Sequence, residues 1–223
     1  MHNTVQNLII IENKIKSNLS DLKINKLPKI IAVSKTFKID KILPLIEYGH
    51  LNFGENKVQE LVQKAEDLPK DIAWHMIGHL QTNKVKFITP FVSLIHGVDS
   101  LKLLKEINKR AEQNNRIIDC LLQVLIATES TKFGFDITEV EQAITNAKEF
   151  QNIKIVGLMG MATFTKDLNQ INSEFANINQ LFEKIKTKNL NTLSIGMSGD
   201  YQLAINNGSN MIRIGLSLIH ISE

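Results

Sequence analysis

The chain has 223 residues, 43% of them hydrophobic, and its 26 basic and 23 acidic side chains leave a formal charge of +3. This suits one α/β barrel or two small domains with a sizeable core, and a charge so evenly balanced, with no local cluster, excludes a nucleic-acid groove or polybasic membrane face. The single cysteine, Cys120, cannot form an internal disulfide, no charged-then-apolar leader opens the chain, and the apolar runs fall short of the roughly 18 residues of a membrane span, so a cytoplasmic protein is expected.

Residues 4–19 place Val5, Ile9, Ile15 and Leu19 at loose helical spacing, which predicts an amphipathic helix covering one end of the fold. Apolar runs near 29–34, 51–53, 72–77, 92–96, 117–126, 153–159, 192–196 and 211–214 then read as eight strands, with helical patterns between them. Gly49 reads as a helix stop. After Ser100, one helical face carries Leu101, Leu104, Ile107 and Ala111, and Cys120 in the fifth apolar run reads as a core thiol. Asp136 and Glu139 form a capping box before Val140, Ile144 and Ala147. Ile171, Phe175, Ile178, Phe182 and Ile185 repeat a one-sided stripe, and Gly208 reads as a second helix stop. The alternation implies a parallel sheet with right-handed crossovers, either closed or open and doubly wound. A single (β/α)8 barrel is favoured because Lys35, Asn56, His79, Ser198 and Arg213 all follow or end an apolar run, where a barrel collects its site.

Side-chain parity in IIAVSKT puts Ile31, Val33 and Lys35 on one strand face, so a barrel that turns Ile31 and Val33 inward would turn Lys35 inward and desolvate it, favouring the neutral amine that attacks an aldehyde. A strand-end lysine is otherwise a solvated surface residue. In MIRIG, parity groups Met211, Arg213 and Gly215, and an inward arginine needs either a ligand or a buried partner such as Asp99 or Glu55. IGMSGD sets Ser198, with the amides of Gly199 and Asp200, at a helix start where barrels bind phosphate, although serine there also serves as a plain N-cap. His75 and His79 have an HxxxH spacing, but their segment begins as a strand and lacks a third ligand, so metal binding is not expected. His75 reads as a satisfied core residue and His79 as a residue of the mouth. No GxGxxG, P-loop or nucleophile motif occurs.

Taken together, IAVSKT, NFGENKVQE, WHMIGHLQTNK, TKFGF, GLMGM, LSIGMSGD and MIRIG resemble the YggS/PROSC family of pyridoxal phosphate homeostasis proteins over about residues 30–215. The ordered combination is highly specific. The resemblance implies an alanine-racemase-like barrel that holds pyridoxal 5′-phosphate as a Schiff base on Lys35, with Arg213 against the pyridine nitrogen. It also implies that Ser198, Gly215 and nearby amides hold the phosphate, with Met197 beside them and Asn56 lining the ring pocket. No catalytic residue is assigned, and the implied partners are the cofactor and apo-enzymes that receive it. A monomer is expected.

The sequence departs from the family after Gly215: Leu216 stands where a small hydroxyl residue is usual, and LSLIHISE matches the translation of a transposon-end sequencing adapter. Residues 1–215 are therefore expected to form the barrel and 216–223 a non-native tail. An arginine on the ring nitrogen can only donate, which leaves the cofactor a poor electron sink, and the second base of a racemase is missing because both tyrosines, Tyr48 and Tyr201, fall in predicted helices. A carrier is thus favoured over an amino-acid racemase, and an aldolase acting on a phosphorylated sugar is a third reading.

Overall fold

The structure is a computed structural model, and it describes residues 2–21, 26–128 and 133–215. Leu216 and the rest of the 216–223 tail lie outside the described residues.

Eight strands close into a parallel barrel in sequence order: β1 Lys29–Val33, β2 Asn52–Glu55, β3 Ala73–Met76, β4 Leu94–Val98, β5 Ile118–Val124, β6 Ile153–Gly160, β7 Thr192–Met197 and β8 Met211–Ile214. The barrel shuts where β8 pairs with β1, in a register that sets Ile31 opposite Arg213. Helices α1 Asn3–Asp21, α2 Ile39–Glu47, α3 Val58–Asp67, α4 Val85–Ile88, α5 Leu101–Gln113, α6 Val140–Ala147, α7 Leu168–Ile185 and α8 Tyr201–Asn206 form the outer layer. The eight apolar runs of the sequence correspond one for one to these strands. Among the described residues no helix is long and apolar enough to cross a membrane.

Local chemistry explains the element ends. Ser100 accepts the Leu103 N–H at the start of α5. Ahead of α6 only half of the expected capping box forms: Glu139 accepts the Asp136 N–H, but Asp136 accepts that of Thr138, and Glu139 rather than Asp136 is the N-cap, without a side-chain cap. Gly49 and Gly208 take φ of +97° and +84° just past α2 and α8, a backbone state that stops a helix at little cost only in glycine. Two helix faces differ from their sequence reading. The buried stripe of α1 runs through Leu8 and Ile11 rather than Ile9, and α5 buries Leu103 while Leu101 faces solvent.

Two apolar clusters result. The larger lies between strands and helices, with Phe53, Phe175 and Phe182 among its fully buried side chains. The smaller fills the barrel itself with Ile31, Leu94, Leu121, Met159 and Met211. Ile31 and Met211 are the inward parity expected for β1 and β8. Polar side chains are buried here as well, among them His75, His96, Ser194 and Arg213.

Candidate functional site

Parallel strands put all their C-terminal ends on one rim, and β7, β8, β1 and β2 are consecutive neighbours around it. Lys35 follows β1, Asn56 follows β2, Met197 ends β7 with Ser198 next, and Arg213 lies in β8 with Gly215 just beyond it. Every site residue expected from the sequence is therefore on one arc of the rim. Ser198 and Gly215 are joined directly, the Gly215 N–H donating to Ser198 Oγ at 3.1 Å. Ser198 is not the helix cap, since Asp200 occupies the N-cap position of α8 and its carboxylate accepts the Met197 N–H.

Lys35 differs from expectation in one respect. The inward parity of β1 stops at Val33, and Lys35 is exposed in a tight turn closed by the Phe37 N–H donating to Ser34 O, so barrel walls do not desolvate it. Thr36 in that turn has φ +67°, a left-handed conformation that costs a β-branched residue about 1–3 kcal/mol. Side chains of α3 hold the strained turn on both sides of the lysine. Glu60 Oε2 accepts the Thr36 N–H at 2.9 Å, and Lys64 Nζ donates to Ser34 O at 2.7 Å. Lys64 also pairs with Glu55 Oε1 at 2.5 Å, and Ser34 Oγ donates to the same oxygen at 2.6 Å. Both charges are buried. Burial raises the Glu55 pKa, against the opposing pull of Lys64 and Ser34. Among the described residues the Lys35 side chain makes no hydrogen bond or ion pair.

Asn56 is half-buried, yet its Oδ1 is buried without a hydrogen-bond partner among the described residues. Gly78 packs so closely beneath it that a Cβ there would lie 2.4 Å from Asn56 O.

Arg213 is 3% exposed and has neither of the partners considered for it. Asp99 binds His79, and Glu55 binds Lys64. Arg213 Nη1 instead donates to Ser194 O at 2.8 Å and Ser194 Oγ at 2.7 Å, and Nη2 donates to Gly160 O at 3.0 Å. All of these acceptors are neutral. Burial lowers its pKa to about 10, which still leaves it a cation at neutral pH. Beneath Ser194, His96 Nδ1 lies 3.1 Å from the hydroxyl, and His96 Nε2 lies 3.0 Å from His75 Nδ1. His75 is a buried interior residue bonded through Nδ1. His79 stands apart at the mouth, bonded to Asp99 Oδ2 at 3.0 Å and stacked on Phe133 with ring centroids 4.1 Å apart. The HxxxH pair thus points in two directions. Cys120 is fully buried, and burial pushes its thiol pKa up, away from any nucleophilic role.

Sequence reasoning missed Ser194, His96, Lys64 and Glu60. For His96 and Ser194 a signal existed, since each is a lone polar residue in the middle of an apolar strand. Lys64 and Glu60 look like any solvated helix pair. Two surface grooves, of about 600 and 530 Å³, lie against α5 and α6 and contain none of these residues.

Residues 10–223 match the family model described as alanine racemase, N-terminal domain. A pyridoxal phosphate homeostasis protein of Aquifex aeolicus is 36% identical over 194 residues, covering 85% of each chain. The structure of PipY from Synechococcus elongatus, with PLP bound, superposes with a TM-score of 0.79 at 29% identity, covering 92% of this chain and all of that one. An alanine racemase of Clostridium difficile shares the fold, with a TM-score of 0.75 at 14% identity, but only 57% of its chain is covered.

Proposed function

The chain belongs to the pyridoxal phosphate homeostasis proteins, built on the alanine racemase N-terminal domain, and from that membership we propose that it binds pyridoxal 5′-phosphate on Lys35 and supplies it to enzymes that lack it. The observation that carries the reading is the meeting of Lys35, Asn56, Ser198, Arg213 and Gly215 on one arc of the rim. Cofactor binding is assigned to the barrel through Gly215.

The residues suit the group. Among the described residues Asn56 Oδ1 is a buried acceptor without a donor and the Lys35 amine makes no hydrogen bond or ion pair, and Arg213 is a buried cation whose hydrogen-bond acceptors are all neutral, with the Asp200 carboxylate near enough to raise its pKa. When bound, the cofactor supplies an aldehyde that condenses reversibly with a primary amine. Lys35 offers that amine from a turn whose flanking peptides are fixed by α3, which limits the entropy lost on capture. Arg213 can donate but never accept, so it gives a ring nitrogen a hydrogen bond and no proton. Ser198 Oγ accepts the Gly215 N–H, which ties the hydroxyl to the end of β8 beside Met197, on the part of the rim that would hold the phosphate. A site that binds the cofactor without a second base opposite Lys35 would suit a carrier.

Recipient apo-enzymes, a monomeric state and a cytoplasmic location belong to the same proposal. Intact mass after borohydride reduction should show one added cofactor, mapping to Lys35. Loaded protein should then activate an apo-enzyme faster than it racemises or exchanges the α-proton of any common amino acid. Turnover on the order of 1 per second, typical of working enzymes, would replace the carrier by an enzyme.

A further inference from the structure

The interior of the barrel beneath Arg213 contains a polar column that the cofactor reading does not use. Arg213, Ser194, His96 and His75 follow one another with contacts of 2.7, 3.1 and 3.0 Å, and all four are at least nine-tenths buried. They come from β8, β7, β4 and β3, so the column crosses the barrel rather than following one strand.

Its hydrogens can be assigned from the chemistry of the ends. A guanidinium only donates, so Ser194 Oγ must accept from Arg213. The hydroxyl proton of Ser194 then needs an acceptor, and the remaining partner of Oγ is His96 Nδ1. If His96 Nδ1 is bare, its Nε2 carries the hydrogen and donates to His75 Nδ1. The opposite order would point a histidine N–H at an oxygen already facing a cation and would leave the Ser194 proton with no acceptor in a fully buried place. Both rings are neutral in either order, because burial pushes the pKa of His75 down to about 3 and that of His96 well below its ordinary value.

We propose that Arg213, Ser194, His96 and His75 form a one-way donor chain, and that Ser194 and His96 are positioning residues which fix the guanidinium for the ligand above it. The lone pair of Ser194 is held toward Arg213 because its proton is committed downward to His96. Without that commitment the hydroxyl can rotate, and Nη1 loses a fixed acceptor. The consequence for ligand binding rests on the cofactor reading above, but the direction of the chain does not.

Two measurements test this. In cofactor-free protein, long-range 15N–1H correlation of the histidine rings should show His96 with Nδ1 bare and Nε2 protonated, and His75 with Nδ1 bare. A protonated His96 Nδ1 would overturn the chain, whatever the protein binds. In cofactor-loaded protein, His96→Leu should weaken binding about tenfold and shift the absorbance maximum of the bound chromophore, and Ser194→Ala should do the same. His96→Gln can accept from Ser194 and donate to His75, and it should restore both readouts to near the parent. Parent-like affinity and spectrum in His96→Leu or Ser194→Ala would refute the positioning role. If His96→Leu does not fold, Ser194→Ala and the parent's ring tautomers decide. A parent that binds no pyridoxal phosphate would fail the cofactor reading alone, and the tautomers would still confirm or overturn the chain.

Discussion

Replacing Lys64 with methionine keeps most of the side chain's volume and removes only its charge. Two hydrogen bonds disappear, one to Ser34 O and one to Glu55 Oε1. Glu55 is then a buried carboxylate whose remaining donor is Ser34 Oγ, with Oε2 already lacking a partner. Removing one partner of a buried pair costs roughly 3–5 kcal/mol, because the surviving charge is uncompensated. At about 2–4 °C per kcal/mol for a domain of this size, Tm should fall by roughly 6–20 °C. The pH dependence gives the mechanism away. The folded protein already holds the Glu55 proton more tightly than the ordinary value of 4.5, and losing Lys64 raises its pKa further. A carboxyl with a raised folded pKa binds more protons folded than unfolded, so its cost is absent below the unfolded pKa and grows as pH rises through the folded one. Urea unfolding at several pH values should show the Lys64→Met deficit smallest in acid and full at neutrality, and Lys64→Met with Glu55→Gln should recover much of it. A single variant within about 1 kcal/mol of the parent at pH 7, or a deficit that grows as pH falls, would refute the account.

Lys35→Ala should abolish the imine absorbance after addition of pyridoxal phosphate, with Tm nearly unchanged because the side chain is exposed. Lys38→Ala and Lys84→Ala should keep the band. Ser198→Ala removes the acceptor of the Gly215 N–H together with the proposed phosphate donor, and titration should show binding weaker by roughly 1–3 kcal/mol. Gly196→Ala combines φ of +94° with a Cβ only 2.6 Å from Ala204 Cβ, so thermal unfolding should register a loss of about 2 kcal/mol or more.

The order of elements was legible because a buried parallel strand is a short apolar run whatever it pairs with, and because Gly49, Gly208 and the Asp136–Glu139 spacing act through neighbours a few residues away. Arg213 was legible by parity, since β8 extends past it. Lys35 was not, because parity holds only while the strand lasts and the chain turns after Ser34. The turn itself is set by Glu60 and Lys64, which sequence separation hides. The column under Arg213 was hidden for a related reason: Ser194 and His96 lie 98 residues apart, and only closure of the barrel brings them within a hydrogen bond.

Closure also dictates an order of events during folding. The pairing of β1 with β8 joins segments about 180 residues apart, and closing so long a loop costs on the order of 4–5 kcal/mol. Neighbouring strands can pair as soon as both exist, whereas this seam waits for the last strand to be made. Lys35 stands on one side of it and Arg213, Ser198 and Gly215 on the other. A molecule held by both sides therefore acts as a staple across the slowest joint, lending the seam RT ln(1 + [L]/Kd) of free energy, about 2.7 kcal/mol at a hundred times Kd. Unfolding that begins by opening this joint should slow in step with ligand concentration, and unfolding that begins at β4 and β5, on the far side of the barrel, should not.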